Sequence, residues 1–414
     1  MTAVLHAQGG STAVFNSGAT FDNPLGNAWF SSSSGYGGEA RARLVYRAPG
    51  TISHLWANVA ANTLNASSTL RVRKGGANVN GVITINSSTT GLLEDTSNTD
   101  AVVAADQFNT RYDNTGASSG SITLRSSRHK FAATTNTVTR LSSAGTGTIS
   151  LASNVGWHNL AGNQDSLAAG EVSGEQYFGV GGTLKNGAIN TSSNGRTTNT
   201  TVISRKGGAN GNISITITAS TSGYFEDTSN SDTIASTNLA NWQSTTGTGT
   251  GSTTLNQMAS DFEATDSTGV IFVRKHGTGF TISAGTTRYG AIGGSTNTLV
   301  TTENEVRINA AVDFTASHLS TYASANTILA PSTLTLRQNN ASTSLTVTYP
   351  TNTSGRFTDT THTVSVVAAD NLDYEYVGGG ASNSVTVKSV SLSASYGAAA
   401  PATRVQRLML LGVG

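Results

Sequence analysis

The chain has 414 residues, long for one ordinary core, with no Cys, and its 24 Lys and Arg almost cancel 23 Asp and Glu. Charged residues make up 11% of it, against about 25% in an average soluble protein, so no broad positive field exists to gather nucleic acid. The absence of Cys removes disulfides, thiolate metal sites and cysteine nucleophiles, and a formal net charge of +1 leaves little repulsion between copies packed in an assembly.

The segment from Met1 to Ala7 has neither a basic start nor an apolar run, and no stretch approaches the roughly 18 apolar residues of a membrane span. A protein made in the cytoplasm without a secretion signal or a membrane span is expected. From Phe15 to Phe30 the chain is Gly-rich and dotted with aromatics. Further on, Leu70, Val72 and Lys74 alternate with Arg71 and Arg73, Gly75-Gly76 follows, and Ile83 and Ile85 alternate with Thr84 and Asn86. That spacing predicts a hairpin whose turn needs positive φ. Gly91, Leu93 and an Asp95-Thr96 turn come next, with Leu93 expected to plug one end of a sandwich. A strand through Val102, Ala104, Phe108 and Tyr112 and another from Ser121 to Leu124 complete the unit.

This pattern recurs; Ser53-His54-Leu55 returns in the third copy as Ser317-His318-Leu319, whereas the middle copy has Lys185-Asn186-Gly187 there. Arg73-Lys74-Gly75-Gly76-Ala77-Asn78 returns letter for letter 132 residues later as Arg205 to Asn210, and a second step of 132 reaches Arg337-Gln338-Asn339-Asn340. The same step carries Asn62 to Asn194 and Asn326, Gly91 to Gly223 and Gly355, and Asp95 to Asp227 and Asp359. One register over so many positions means duplication. The middle copy reads as one residue short before Leu239, which then matches Phe108. Ahead of the hairpins, Phe15 to Phe30, Ala152 to Phe178 and Ile282 to Val300 share character without a clear register. The expected fold is all-β: three tandem antiparallel β-sandwiches, jelly-roll-like, over residues 1–134, 135–265 and 266–400, followed by an apolar tail over 401–414.

Chemistry-bearing candidates are weak beside their structural readings. Glu94 to Asp100 and Glu226 to Asp232 have the oxygen ligands of a calcium loop, but the third copy loses two carboxylates, so an Asx turn around the retained Asp is the simpler reading. Gly116-Ala117-Ser118-Ser119-Gly120 has the letters of a nucleophile elbow, yet a strand rather than a helix follows it. Seven His residues show no metal-ligand spacing, and only His54 and His318 correspond, for which turn or core packing is the reading. Trp29, Trp56, Trp157 and Trp242 have the chemistry to stack on sugar rings, with burial the better expectation for most. Every well-kept acidic position belongs to the repeat, whereas an active site is singular. No enzyme activity, metal or other cofactor is expected.

The last residues stand outside the repeat. Arg404, Arg407, Leu408, Met409, Leu410 and Leu411 are expected to form an assembly contact on a neighbouring subunit, with pairing on the chain's own third sandwich as the alternative.

Leu334 to Asn340, Leu345 to Thr348, Gly355-Arg356-Phe357-Thr358-Asp359-Thr360 and Val364 to Asp370 together resemble a module of structural proteins in tailed bacteriophages. Ala369 stands where that module has Gly, and about 60 residues of each unit are covered. The resemblance implies a virion protein of capsid-decoration, collar or fibre type, a homo-oligomer whose partners are its own copies and other virion proteins, with no catalytic residues to transfer. A bacterial extracellular filament, surface-layer or adhesin protein, or a carbohydrate-binding protein touching glycans, is the alternative.

Overall fold

The computed structural model describes residues 3–25, 38–134, 138–151, 155–163, 170–265, 270–293, 299–310 and 312–396. The expected assembly residues Arg404 to Leu411, and Trp29, lie outside them. The first unit has strands β1 (Ala3–Asn16), β2 (Thr20–Pro24), β3 (Leu44–Val45), β4 (Gly50–Asn62), β5 (Ser68–Lys74), β6 (Ala77–Ile85), β7 (Gly91–Val102), β8 (Gln107–Asp113) and β9 (Ser121–Ala133). One short helix, α1 (Glu39–Ala42), precedes β3. The order β1-β9-β4-β7 forms one sheet and β2-β8-β5-β6 the other, with β3 pairing β8 and all pairs antiparallel. With β3 set aside, this is the two-sheet jelly-roll order of eight strands, and the same order recurs twice along the chain.

The alternating apolar residues face each other between the sheets. Leu70, Val72, Ile83 and Ile85 are buried, as are Ile215 and Ile217, and Val347 and Tyr349, at the positions of Ile83 and Ile85 in the other two units; Ile213 and Leu345, at the position of Gly81, are buried too. Leu93, Phe225 and Phe357 each pack against the edge of their own unit's cluster. At the hairpin tips both turn residues have positive φ: 58° and 96° at Gly75-Gly76, 56° and 81° at Gly207-Gly208, 50° and 69° at Asn339-Asn340. Gly and Asn are the residue types that tolerate this geometry.

Strand pairing corrects two readings of the sequence. Lys74 lies opposite Phe108, Lys206 opposite Ala240 and Gln338 opposite Leu372, so the step of 132 runs unbroken through these strands and Leu239 matches Gln107, not Phe108. The odd unit is the first, not the middle one. Val59, Thr191 and Ala323 pair with Leu124, Leu255 and Val387, which puts one extra residue in the loop 114–120 ahead of β9. The register also reaches further forward than the letters suggest, because Glu39, Glu171 and Glu303 occupy one structural position at the same step.

The bulge after Ser53 explains a third feature. His54, Asn186 and His318 have φ of 51°, 53° and 49° and interrupt the register at the same point of each unit. A left-handed bulge residue is needed there, and Asn and His are among the side chains enriched in that region.

Among the described residues three hydrophobic clusters form, and each takes a residue from the next unit. Ala259 of the second unit joins the cluster of the first, Val273 of the third joins that of the second, and Trp56 of the first joins that of the third. The contacts therefore close into a ring. A short bridge, Gly162–Asn163, pairs in parallel with Thr139–Leu151 and with Val270–Ser283, fusing the second and third units' larger sheets into one of nine strands.

Candidate functional site

The letters kept through the repeat converge on backbone support. Arg73 donates Nε and Nη2 to the two carboxylate oxygens of Glu39 at 2.7 and 2.9 Å, and also reaches Asn78 and the Gly76 carbonyl. Arg205 holds Glu171 at 2.9 and 3.1 Å, and Arg337 holds Glu303 at 3.1 and 3.3 Å. A bidentate fork of this kind fixes direction as well as distance. It ties the segment ahead of β3 to the hairpin tip. Burial works against the Glu39 carboxylate, but the Arg73 hydrogen bond and the charges of Arg111, Arg73 and Arg43 outweigh it and hold its pKa below the ordinary value. The sequence signal for Glu39 was the step of 132 itself, hidden by the dissimilar residues around it.

Asp95, Asp227 and Asp359 do more than close an Asx turn. Each accepts the N–H of the residues two and three positions on, and each also takes a backbone N–H from the neighbouring strand, at Val82, Ser214 and Thr346. Asn98 and Asn230 add side-chain donors, and His362 takes their place in the third unit, with Nδ1 2.9 Å from Asp359 Oδ2. Burial is again outweighed, here by those N–H donors, and the pKa of Asp359 falls to about 2. Asn62, Asn194 and Asn326 likewise tie their strands to the Asn86, Thr218 and Pro350 carbonyls.

The remaining sequence candidates are dispersed. Ser118 sits in the loop before β9, where Asn65 donates to its hydroxyl. His129 is near Tyr46 Oη at 3.3 Å, and buried His158 has Nε2 2.8 Å from Ser244 Oγ in a different unit from His54 and His318. Trp56 and Trp242 are buried, while Trp157 is partly exposed beneath the Arg205 guanidinium. Among the described residues no group of three or more His, Asp or Glu side chains gathers to hold a metal, and no helix is long and apolar enough to cross a membrane.

The unit junctions contain the chemistry that the repeat does not predict. Between the first and second units, Asn190 donates to the Ala40 carbonyl at 2.9 Å, Tyr224 Oη donates to the Arg43 carbonyl at 2.6 Å, and Arg47 pairs with Glu226. Between the second and third, the Tyr177 N–H donates to Ser389 Oγ, Thr358 donates to Tyr177 Oη, and Ser391 donates to the Tyr177 and Phe178 carbonyls. The first junction leaves a cleft of about 350 Å³ whose walls include Arg41, Arg43, Asn190, Ser192, Tyr224 and Asn256. No family model matches the chain, and no curated protein matches it significantly.

Proposed function

We propose that the chain is a non-enzymatic structural subunit of a tailed-bacteriophage virion, of capsid-decoration, collar or fibre type, working with its own copies and other virion proteins. The observation that carries this reading is the ring: three jelly-roll units close on one another within a single chain, giving the shape of a trimer without separate subunits. Jelly rolls recur in capsid proteins, a fold-level analogy joined here to the module resemblance around Gly355 to Asp370. The recurring polar residues support a structural role as well, since their hydrogen bonds go to backbone and to one another. A bacterial extracellular filament or surface protein is the competing reading.

Mass spectrometry of purified phage particles and of surface filaments from the source separates the two. Recovery of the chain in particles at stoichiometric abundance supports the virion reading, and recovery only in filaments overturns it. Residues 404–413 are proposed as the assembly contact, because burying side chains such as Leu408, Met409, Leu410 and Leu411 contributes about 1.5 to 3 kcal/mol each before ordering costs. A chain ending at Ala400 is expected to keep its thermal unfolding midpoint and to lose incorporation. Normal incorporation of that chain removes the tail from the assembly surface.

A further inference from the structure

One buried position, paired across the sheet with Arg73, Arg205 or Arg337, is filled differently in the three units. It holds Asn109, Asn241 and Asp373, none more than 1% exposed. The two Asn amides donate hydrogen bonds, to Asp22 and to the Trp242 carbonyl. An ionised Asp has nothing to donate, whereas a neutral carboxyl has the shape of the amide and one donor. Asp373 has Glu303 as its hydrogen-bonding neighbour. Glu303 is held by the Arg337 fork at 3.1 and 3.3 Å and lies 3.4 Å from Arg307, so the proton shared by this pair belongs to Asp373.

The groups around Asp373 do not favour its charge. Glu303 and Arg307 reach it from the segment that enters the third unit, Arg337 from the strand Ser332–Gln338, Tyr289 from Thr287–Gly290 and Glu375 from its own strand. Two cations are thus matched by two acids before Asp373 is counted. Burial, with Glu303 beside it, raises its pKa well above the usual carboxylate range.

The segment over Asp373 also closes the ring. Ile308 and Ala310, which follow Glu303 and Arg307, are buried in the cluster that Trp56 of the first unit joins. The equivalent segments at the other two junctions cover an Asn, which has no proton to lose. We infer that the junction of the third unit with the first is a proton latch, shut while Asp373 and Glu303 share a proton and loosened when that proton leaves. Lifting residues 303–310 admits water to Asp373, which then ionises as an ordinary carboxyl. The lifted state holds one proton fewer. Above about pH 4 its population therefore grows about tenfold per pH unit, until the closed form loses the proton as well.

The test is hydrogen exchange of the full chain between about pH 5 and pH 7, each rate divided by its intrinsic rate at that pH. The backbone amides of 303–310 and the indole N–H of Trp56, followed by NMR on protein carrying labelled Trp, are expected to lose protection about tenfold per pH unit. Residues 39–46 and 171–178, and the indole of fully buried Trp242, are expected to keep theirs. Asp373→Asn copies the residue of the other two units and should abolish the loss at both sites. An equal slope in all three segments would mean that Asp373 acts only through global unfolding. A slope kept by Asp373→Asn would assign it to another group, and an unchanged Trp56 indole while 303–310 loosens would separate the segment from the junction. Each of these overturns the proposal, as does protection of 303–310 that is independent of pH.

Discussion

Asp373 is the residue whose chemistry departs most from its equivalents. The matching positions are Asn109 and Asn241, whose amides donate to Asp22 and to the Trp242 carbonyl. Asp373 is 1% exposed, neither carboxylate oxygen receives an N–H or O–H from the described residues, Glu303 is its hydrogen-bonding neighbour, and Arg307 stands 4.0 Å away. Burial, with Glu303 beside it, pushes its pKa well above the usual carboxylate range despite Arg307 and Arg337. The folded chain thus keeps a proton that the unfolded chain has released. Stability from this group is full below about pH 4 and declines as pH rises, by up to about 1.4 kcal/mol per pH unit, until the folded carboxyl itself ionises. Asp373→Asn is expected to flatten that decline, raising the denaturation midpoint near neutral pH while changing little at pH 4. Equal pH profiles for the two proteins, measured by urea unfolding, would show that Asp373 is ionised in the fold. Asp359 works with the opposite sign: its depressed pKa of about 2 supplies stability that is present above the unfolded value of 3.8 and lost as pH falls toward 2.

Among the elements, the hairpin was the most legible. Alternation identifies its two strands, and a Gly-Gly pair exchanged for Asn-Asn identifies a turn with positive φ from the sequence alone. The second unit offers the cleanest trial, because a Cβ on Gly208 would meet nothing within 4 Å, leaving backbone conformation as the only strain. Gly208→Val is expected to destabilise by about 1–2 kcal/mol, as forcing a β-branched residue into the left-handed region does, and Gly208→Asn to be close to neutral. Matching unfolding midpoints for the Val and Asn variants would contradict the turn assignment. The front of each unit was far less legible. Glu39, Glu171 and Glu303 keep the step of 132, yet their neighbours differ: the stretch after Glu39 bonds to the second unit through the Ala40 and Arg43 carbonyls, and the stretch after Glu171 to the third through Tyr177. The length change before β9 was misplaced for a related reason: Phe108, Ala240 and Leu372 occupy one buried position, and a small residue there hid the match that backbone pairing reveals.

On the scale of the whole molecule, the ring depends on close approach at the junctions. Gly179, with φ of 71°, lies where any Cβ would fall on the Ser320 side chain across the second junction. Gly179→Ala is expected to lower stability by about 1–2 kcal/mol from the backbone term alone, with a further loss from the collision. Adding Ser320→Gly should recover the collision share and leave the backbone share. Unchanged thermal unfolding of the single variant would show that the second and third units do not meet as described. The sequence alone determined the all-β class, the repeat and its hairpins, because those rest on local alternation and on turn residues whose backbone preferences are intrinsic. The ring, the Glu–Arg forks and the cleft at the first junction were decided only by tertiary structure. They join residues such as Arg43 and Asn256, or Trp56 and the third unit's core, that are far apart in the chain, and no local preference records which distant side chains will share a wall.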